Sequence, residues 1–309
     1  MLVDAGEESN GLEVVEYLRS QGVTRLEYLI GTHPHADHIG GLSAVLNAFP
    51  VDTILLPKTE HTSYTYETLL NAIAKQGKQI TAPKTLDTYY LGQAQFQILS
   101  SGADAGDNLN NASIVFRLSF GANSFLFTGD AENEMEAALC QMDCILKSDV
   151  LKVGHHGSDT SSTEAFLDAV SPQMAVIPVG NGNDYGHPAQ AVLARLAARE
   201  AMVFRTDLDG TVVITGDGKH AVKSNPAAPL TAHSPPEQVQ EEKKSAPEIK
   251  TPPVPKQEHS DEAITVYVTK SGTKYHREGC RYLRKSKIAV GLAEAKQRYS
   301  PCSVCKPPQ

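Results

Sequence analysis

Three histidines and one aspartate are packed into six consecutive positions of the stretch GTHPHADHIGG, residues 31–41. All four side chains are good ligands for zinc or a similar divalent ion. An apolar, strand-like pair precedes them and two glycines follow, so they lie on a turn between a predicted strand and a predicted helix. His33 and His35 suit one metal, and Asp37 and His38 suit a neighbouring metal. The stretch therefore predicts one half of a two-metal site.

Two later motifs offer partners for this half-site. Asp130 follows the apolar run 124–127, which predicts a carboxylate at a strand end, suited either to bridging two metals or to capping a helix. In LKVGHHGS, His155 and His156 follow the predicted strand 150–153. Because adjacent side chains on an extended segment point opposite ways, only one of them readily faces a given metal. We assign His156 to the second metal and His155 to the substrate, and the reverse assignment stays open.

A run of hydroxyl residues lies next to the histidine pair, where a helix is predicted over residues 162–170. Ser158 and Ser161 suit a cradle for phosphate oxygens at a helix start. The competing interpretation is a capping box between Ser161 and Glu164. Both interpretations stand at this stage.

The composition, 40% hydrophobic residues in 309, is that of a globular protein. No run approaches the roughly 18 to 20 apolar residues of a membrane span, and the first residues show no basic segment followed by an apolar run, so we expect a soluble chain without a membrane span. Residues 1–6 read as the interior of a buried strand followed by a turn. We therefore expect that upstream sequence, including any targeting segment, is missing.

Composition divides the chain into three parts. Residues 1–222 alternate short β-type runs with helical patterns, which is typical of an α/β layer fold. Residues 223–263 hold eight of the eighteen prolines and few aliphatic residues, which predicts a disordered linker. Residues 264–309 hold ten Lys/Arg and two Glu, a charge of about +8. Because the whole chain has a net charge of −8, residues 1–263 carry about −16.

The basic tail has its own metal-ligand pattern. His276 and Cys280 form an H-x3-C pair, and Cys302 and Cys305 form a C-x2-C pair. This spacing predicts one structural zinc, which a 46-residue unit with few large apolar residues needs to fold. The positive charge favours DNA as a partner, with an anionic cell-wall polymer as the rival. Four tyrosines are candidates for base stacking: Tyr267, Tyr275, Tyr282 and Tyr299.

The motifs THPHADHIGG, FTGD and LKVGHHGS, followed by the segment YGHP at 185–188, resemble the metallo-β-lactamase superfamily. Within it they are most similar to the hydrolase domain of the competence protein ComEC and its stand-alone secreted relatives. The resemblance covers residues 1–216. It implies a four-layer αβ/βα sandwich with a dinuclear metal centre at one sheet edge, and hydrolysis by a hydroxide generated between the metals.

The resemblance also implies roles for individual residues. His33 and His35 would bind the first ion, Asp130 both ions, and Asp37, His38 and His156 the second. Asp4 would support the ligand loop. Asp37 would also orient the nucleophile, and His155 or His187 would donate a proton to the departing oxygen.

Two departures from the family pattern stand out. The third histidine of the first metal is absent, and the region around Asn111 carries asparagines instead, as in the ComEC-like group. Asn111 is therefore a candidate for contact with the substrate, and an asparagine carbonyl or water would complete a weaker first site that accepts Mn²⁺ as well as Zn²⁺. The family's N-terminal strand pair is also absent from this chain.

The leading hypothesis is a ComEC-like phosphodiesterase or DNase, monomeric and extracytoplasmic or secreted. One alternative is hydrolysis of another ester or amide, such as a phosphocholine ester or a β-lactam. The other is a protein that binds nucleic acid or cell wall through its tail and carries an inactive metal domain.

Overall fold

The computed structural model describes residues 1–103, 105–219, 221–223, 265–269, 274–277, 288–292, 295–296, 299–302 and 305. The chain divides into two compact units, Met1–Gln238 and Val239–Gln309. Apart from Lys223, the predicted linker 223–263 lies outside the described residues. The three-part division of the chain stays a prediction.

The first unit alternates strands and helices, as its sequence pattern predicts. Its strands are β1 Leu2–Val3, β2 Leu26–Ile30, β3 Val51–Leu55, β4 Ile80–Thr81, β5 Thr88–Leu91, β6 Ala94–Ser100, β7 Val115–Phe120, β8 Asn123–Phe127, β9 Val150–Lys152, β10 Met174–Ile177, β11 Met202–Arg205, β12 Ile214–Gly216 and β13 Ala221–Lys223. Its helices are α1 Gly11–Ser20, α2 Ala36–Ile39, α3 Leu42–Ala48, α4 Tyr64–Lys75, α5 Asn133–Gln141, α6 Glu164–Val170, α7 Gln190–Ala197 and α8 Thr206–Asp209, with 3₁₀ turns at Glu8–Asn10 and Gly154–Gly157.

Two sheets form the centre of this unit. Strands β1-β2-β3-β4 form a parallel sheet in that order. The second sheet has seven strands in the order β11-β10-β9-β8-β7-β6-β5. Its β8 to β11 half is parallel and its β5 to β8 half is antiparallel. Strands β12 and β13 form a separate hairpin.

Three apolar clusters show how the sheets are layered. Ile30 and Leu55 of the first sheet pack against Phe96 and Phe116 of the second, so the two sheets face each other. Helices α1, α3 and α4 cover the outer face of the first sheet, and helices α5, α6 and α7 cover that of the second. This is the predicted four-layer αβ/βα sandwich, in which parallel strands buried on both faces carry nearly unbroken apolar runs.

Three helix ends show how local sequence and tertiary contacts define the helices. Gly22, with φ +73°, follows the last turn of α1, because glycine adopts the left-handed conformation without strain. The predicted capping box at Ser161 and Glu164 is wrong, since Thr163 occupies the N-cap of α6. The Glu136 carboxylate instead accepts from the backbone N–H groups of Ser162 and Thr163. Pro188 precedes α7, which begins at Gln190, and lies outside its first turn.

The second unit contains strands β14 Thr265–Val268, β15 Lys274–His276, β16 Ile288–Gly291 and β17 Ser300–Pro301, in the sheet order β16-β14-β15-β17. Its small core includes Val266, Val268 and Tyr275, which is 2% exposed. Tyr275 therefore does not offer the stacking face predicted for it. Tyr282 lies outside the described residues.

No helix in the described part of the chain is both long and apolar enough to cross a bilayer.

Candidate metal centre

Strand order determines where the polar motifs meet. Strands β8, β9 and β10 are parallel neighbours, so their carboxyl ends lie at one edge of the second sheet. Asp130 follows β8, His156 follows β9, and Pro178 follows β10. The loop from β2 to α2 brings His33, and α2 brings His38, to the same edge. Side chains from four segments thereby converge where α/β folds commonly place their ligands.

Asp4 holds the ligand loop in place, as predicted. Its carboxylate accepts from the Thr32 backbone N–H at 2.8 Å and from the Thr32 hydroxyl at 2.8 Å. It also lies 2.8 Å from His38 Nδ1. This contact orients the imidazole so that Nε2 faces the site, in the way that a supporting carboxylate orients a metal-binding histidine.

The turn into α2 depends on close backbone approach. The Ala5 N–H donates to the His38 carbonyl at 2.8 Å, and the Gly41 N–H donates to the Gly6 carbonyl at 3.0 Å. A Cβ on Gly41 would overlap the Ala5 carbonyl oxygen. The glycine pair that ends the motif is therefore required by packing against the segment that carries Asp4.

His156 reaches the site from an unexpected backbone conformation. The sequence predicts an extended segment, but His155 and His156 have φ values of 47° and 52° within a 3₁₀ turn. Such left-handed conformations are costly for L-residues and persist where surrounding contacts hold them. His156 Nδ1 lies 2.7 Å from the Pro178 carbonyl oxygen, to which it donates, and Nε2 faces the site.

Asp130 lies at the centre of the cluster and is 2% exposed. Its Oδ2 lies 3.1 Å from His38 Nε2 and 3.3 Å from His156 Nε2. Asp37 Oδ2 is 3.3 Å from the same His156 nitrogen. Together, Asp37, His38, Asp130 and His156 offer ligand atoms that all lie within 4.8 Å of one another.

His33 lies near the same carboxylate oxygen, and His35 lies next to His33. His33 Nε2 is 3.0 Å from His35 Nδ1 and 3.9 Å from Asp130 Oδ2. His33 Nδ1 contacts the hydroxyls of Thr32 and Ser113, and the Ser113 hydroxyl also accepts from the Asp130 N–H at 2.9 Å. The structure therefore brings together all six side chains predicted as ligands.

The charges of the cluster are strongly coupled. Burial opposes charge on both His38 and His156, but nearby carboxylates outweigh it and raise the pKa of His38 to about 10 and that of His156 to about 9. Burial, reinforced by the charge of His38, lowers the pKa of His33 to about 3. Burial would raise the pKa of Asp130, but Lys152 and His38 hold it well below its usual range. Without metal, the cluster is thus an assembly of carboxylates and imidazolium cations.

These shifts predict how pH affects the metal-free protein. The folded pKa values of His38 and His156 lie above the ordinary 6.5. The charged histidines therefore make their full contribution to the free energy of unfolding below pH 6.5. This contribution disappears as the pH rises through about 9 to 10. We expect the Tm of the chelated protein to fall across that window in a thermal unfolding series.

The His38→Gln variant should lose part of this pH dependence, whereas His61→Gln, outside the cluster, should retain it. Because metals bind neutral imidazole, metal binding at pH 7 should also release protons, measurable by calorimetry in buffers of different ionisation enthalpy. A Tm that rises from pH 6.5 to 10 would contradict the prediction.

His155 turns away from the ligand cluster toward Glu132, a residue that the sequence motifs did not identify. His155 Nδ1 lies 3.1 Å from Glu132 Oε1 and 3.3 Å from Thr160 Oγ1. The same carboxylate accepts from Asn108 Nδ2 at 2.7 Å, Asn110 Nδ2 at 3.1 Å and the Thr160 hydroxyl at 2.9 Å. Burial opposes the charge of Glu132, but these donors lower its pKa.

Lys152 is a second residue that the sequence motifs did not identify. Its Nζ donates to the Gly129 carbonyl at 2.6 Å and lies 3.4 Å from Asp130 Oδ1. This contact engages the carboxylate oxygen that does not face the histidines. The position of Lys152, directly before VGHHGS at a strand end, is the signal that would have pointed to it.

The three residues predicted to bind substrate are largely occupied within the protein. Ser161 is fully buried and donates to the Ala131 carbonyl at 2.8 Å, which argues against contact with a substrate. Ser158 is 4% exposed, and its hydroxyl lies 3.0 Å from that of Thr160. Asn111 Oδ1 accepts from the Glu132 N–H at 2.9 Å. These contacts support the Glu132 segment rather than an open cradle.

The neighbouring Asn110 bears on the missing third histidine. Its Oδ1 is buried and has no hydrogen-bond partner among the residues that the structure describes, whereas its Nδ2 donates to Glu132. A buried, unpaired carbonyl oxygen is unusual and calls for a ligand. The asparagine carbonyl predicted as a replacement ligand therefore stays a prediction, with this atom as its candidate.

His187 lies at the rim of the site. Its ring centroid is 5.6 Å from that of His155 and 5.8 Å from that of Tyr185, on which it stacks. Burial and the neighbouring His155 lower the pKa of His187. A neutral imidazole at this rim can donate or accept a proton.

A cavity of about 670 Å³ opens beside the cluster. Asp37, His38, Lys152 and His156 line its polar end, and the remaining wall is mainly apolar. The cavity therefore borders the ligand cluster.

The second unit holds a separate cluster. Pairing of β15 with β17 aligns Tyr275 with Pro301, which places His276 beside Cys302. The ligand atoms of His276, Cys302 and Cys305 lie within 4.8 Å of one another. Cys280, the predicted fourth ligand, lies outside the described residues.

Residues 1–180 match the family model described as "Metallo-beta-lactamase superfamily". The chain belongs to this superfamily. The resemblance inferred from the motifs is thereby confirmed, and membership indicates a metal-dependent hydrolase. The two-sheet sandwich with a His/Asp cluster at one sheet edge agrees with this assignment.

The superfamily member described here is similar to competence and recombination proteins. It is 36% identical to ComE operon protein 3 of Bacillus subtilis (strain 168) over 199 residues, which are 64% of this chain and 26% of that protein. It is 35% identical to Recombination protein 2 of Haemophilus influenzae over 217 residues, 69% of this chain and 26% of that protein. Competence protein ComA of Neisseria gonorrhoeae is 33% identical over 212 residues, 68% and 28% of the respective chains. The chain thus spans about a quarter of the length of these relatives.

Proposed function

We propose that this protein is a two-metal phosphodiesterase that hydrolyses DNA. The observation that carries the proposal is the position of Asp130 Oδ2, which lies 3.1 Å from His38 Nε2, 3.3 Å from His156 Nε2 and 3.9 Å from His33 Nε2. One carboxylate oxygen thus faces nitrogens of both predicted metal sites, as a bridging ligand must.

The donor set fits divalent metals. His33, His35 and Asp130 would hold one ion, and Asp37, His38, Asp130 and His156 the other. Imidazole and carboxylate ligands suit zinc and manganese alike, so the donor set favours neither. When bound, two such ions supply a nucleophile at neutral pH and neutralise charge on phosphoryl oxygens.

The remaining residues have separate roles in this proposal. Asp37, with its side chain 49% exposed, would orient the attacking water from the cavity side. Glu132 and Thr160 engage His155 Nδ1, which leaves Nε2 for the substrate. His155 or the adjacent His187 would then donate the proton that the departing oxygen requires.

Two observations support DNA as the substrate. The similar proteins named above are competence and recombination proteins. Residues 1–263 carry about −16, whereas residues 264–309 carry about +8, so the basic tail supplies an attraction for a polyanion that the rest of the chain lacks. The extracytoplasmic location and the monomeric state stay predictions.

We further propose that His276, Cys302 and Cys305 hold a structural zinc, with Cys280 as the predicted fourth ligand. Support comes from the 3.9 Å separation of Cys305 Sγ and His276 Nδ1 and from the burial of Cys302, which is 3% exposed. Two sulfurs and one imidazole are typical of structural zinc sites.

The proposed activity is tested with the purified full-length chain supplied with Zn²⁺ or Mn²⁺. We expect it to cleave single- or double-stranded DNA and to leave chromogenic phosphocholine esters and β-lactams largely intact. Hydrolysis of those compounds without DNA cleavage would favour the alternative ester or amide hydrolase. Salt-dependent DNA binding without cleavage under either metal would favour a binding protein.

Glu132→Gln is expected to lower kcat for DNA about 10- to 100-fold with little change in KM, the range for partners that orient active-site residues. The reason is that the variant removes the charge that holds His155 while keeping the shape of the side chain. Steady-state kinetics measure this split.

Glu134→Gln is the matched control, because Glu134 is exposed and contacts Asn111 rather than His155. Equal kcat values for wild type and Glu132→Gln would show that the ion pair with His155 is not used in the reaction.

A further inference from the structure

The loop after β10 presents an aromatic ring at the rim of the cluster in a fixed position. Asn183 Nδ2 donates to the Gly180 carbonyl at 3.1 Å and to the His187 carbonyl at 2.7 Å. Asn183 Oδ1 accepts from the Tyr185 N–H at 3.2 Å and the His187 N–H at 3.0 Å. A single side chain thus connects four points of the loop backbone, which pre-organises the segment.

The Tyr185 side chain is exposed to solvent rather than packed within this loop. It is 84% exposed, the most exposed of the large apolar or aromatic side chains in the described residues. One face of its ring stacks on His187, with centroids 5.8 Å apart and an angle of 20°. The ring is thereby held in position while its surface stays open to solvent. An exposed aromatic that contributes nothing to the core is a candidate for ligand contact.

The ring is also continuous with the proposed active site. The His187 ring lies 5.6 Å from His155, and the His155 ring lies 6.4 Å from His156. A row of rings therefore leads from Tyr185 to the Asp130 cluster. A strand with one phosphate at the cluster has neighbouring nucleotides within reach of this row.

We propose that Tyr185, positioned by Asn183, is a stacking platform for a base of single-stranded DNA near the scissile phosphate. This inference rests on the proposed function and specifies its substrate. Every base offers a π-face, so stacking on an aromatic ring binds single strands with little sequence preference. The bases of a duplex are already stacked on one another, so the platform favours single strands.

Kinetics with two substrates test the proposal. One is a single-stranded oligonucleotide, and the other has the same length and charge but abasic residues throughout. Tyr185→Ala should raise KM about 5- to 50-fold for the first substrate, since stacking on one ring accounts for an effect of this order. It should leave kcat and the KM for the abasic substrate unchanged, whereas Tyr185→Phe should behave as wild type.

Tyr90→Ala is the matched control, because Tyr90 is 66% exposed on β5, the edge strand at the far end of the seven-stranded sheet. Asn183→Ala should reproduce part of the Tyr185→Ala effect by releasing the loop. A binding measurement is independent of cleavage. Wild type should quench the fluorescence of a 2-aminopurine oligonucleotide when the base stacks on the ring, and Tyr185→Ala should not.

The outcomes separate the two proposals. Cleavage of both substrates with equal KM values in wild type and Tyr185→Ala would overturn the platform and leave the phosphodiesterase intact. Absence of any cleavage would overturn the phosphodiesterase, and the 2-aminopurine titration would still decide the platform. If Tyr185→Ala weakened binding of the abasic oligonucleotide as much as binding of the base-containing one, stacking on a base would also be overturned.

Discussion

Asp130→Asn is expected to lower the rate of metal-dependent DNA hydrolysis by at least about a thousand-fold. The substitution preserves the shape of the side chain but removes the negative charge of the carboxylate, whose Oδ2 lies within 3.9 Å of His33, His38 and His156 nitrogens. Losing a ligand shared by both ions forfeits several kcal/mol of charge stabilisation in the transition state, and each 1.36 kcal/mol is about a factor of ten in rate. Initial rates measured with excess Mn²⁺ give the comparison.

The same variant should bind fewer than two metals per chain after dialysis, beyond the one zinc proposed for the second unit, as measured by elemental analysis. Asp143→Asn removes an exposed aspartate outside the cluster and should change neither metal content nor rate. Circular dichroism establishes that the variant is folded. A folded Asp130→Asn protein that retains both metals of the first unit and the wild-type rate would show that Asp130 does not bridge metals.

Cys302→Ser is expected to remove one zinc per chain and to unfold the second unit. This unit has a small core, centred on Val266, Val268 and Tyr275, so metal binding supplies much of its folding free energy. Structural zinc sites contribute about 10 to 16 kcal/mol of apparent binding free energy, which is more than such a core can replace. Limited proteolysis of the full chain should show rapid loss of residues 264–309 in the variant.

Cys140→Ser is the matched control, because Cys140 is an exposed cysteine in the first unit. Hydrolysis of a small phosphodiester should be unaffected by Cys302→Ser, whereas retention on DNA at low salt should fall. A variant with unchanged zinc content and unchanged protease resistance would rule out Cys302 as a ligand of a structural metal.

The sheet that positions the site could be predicted because buried parallel strands leave apolar runs. The predicted strand 124–127 is β8 Asn123–Phe127, and the predicted strand 150–153 is β9 Val150–Lys152. Polar motifs that follow such runs fall at the carboxyl edge, so the meeting of Asp130 with His156 was predictable. Strand β11 was not predicted, since four residues ending in Arg205 show no clear period.

The conformation of the histidine pair could not be predicted from sequence. The β-type run that precedes the pair suggests an extended segment, whereas tertiary contacts to Pro178 and Glu132 hold both histidines at positive φ. Sequence spacing carries no information about such distant partners. The divergence of the two side chains was nevertheless expected, and the structure turns His156 toward the cluster and His155 away from it.

Glu132 shows the same limit more clearly. Its partners come from two other segments, residues 108–110 and 155–160, and only folding brings them to one carboxylate. The asparagines that stand in place of a histidine therefore have a supporting role that their own pattern does not reveal. Ser161 illustrates the converse, since a hydroxyl at a predicted helix start is in fact enclosed in the core.

The most direct test of the central claim is the cleavage of a labelled single-stranded oligonucleotide by the chelated protein during stepwise addition of Mn²⁺ or Zn²⁺. The proposed two-metal site predicts that activity is absent without metal and reaches its maximum at two ions per chain, beyond the one proposed for the second unit. Asp37→Asn, which removes the carboxylate 3.3 Å from His156, should abolish that activity at every metal concentration. Cleavage that persists in the chelated protein or in Asp37→Asn, or no cleavage with either metal, would contradict a two-metal phosphodiesterase.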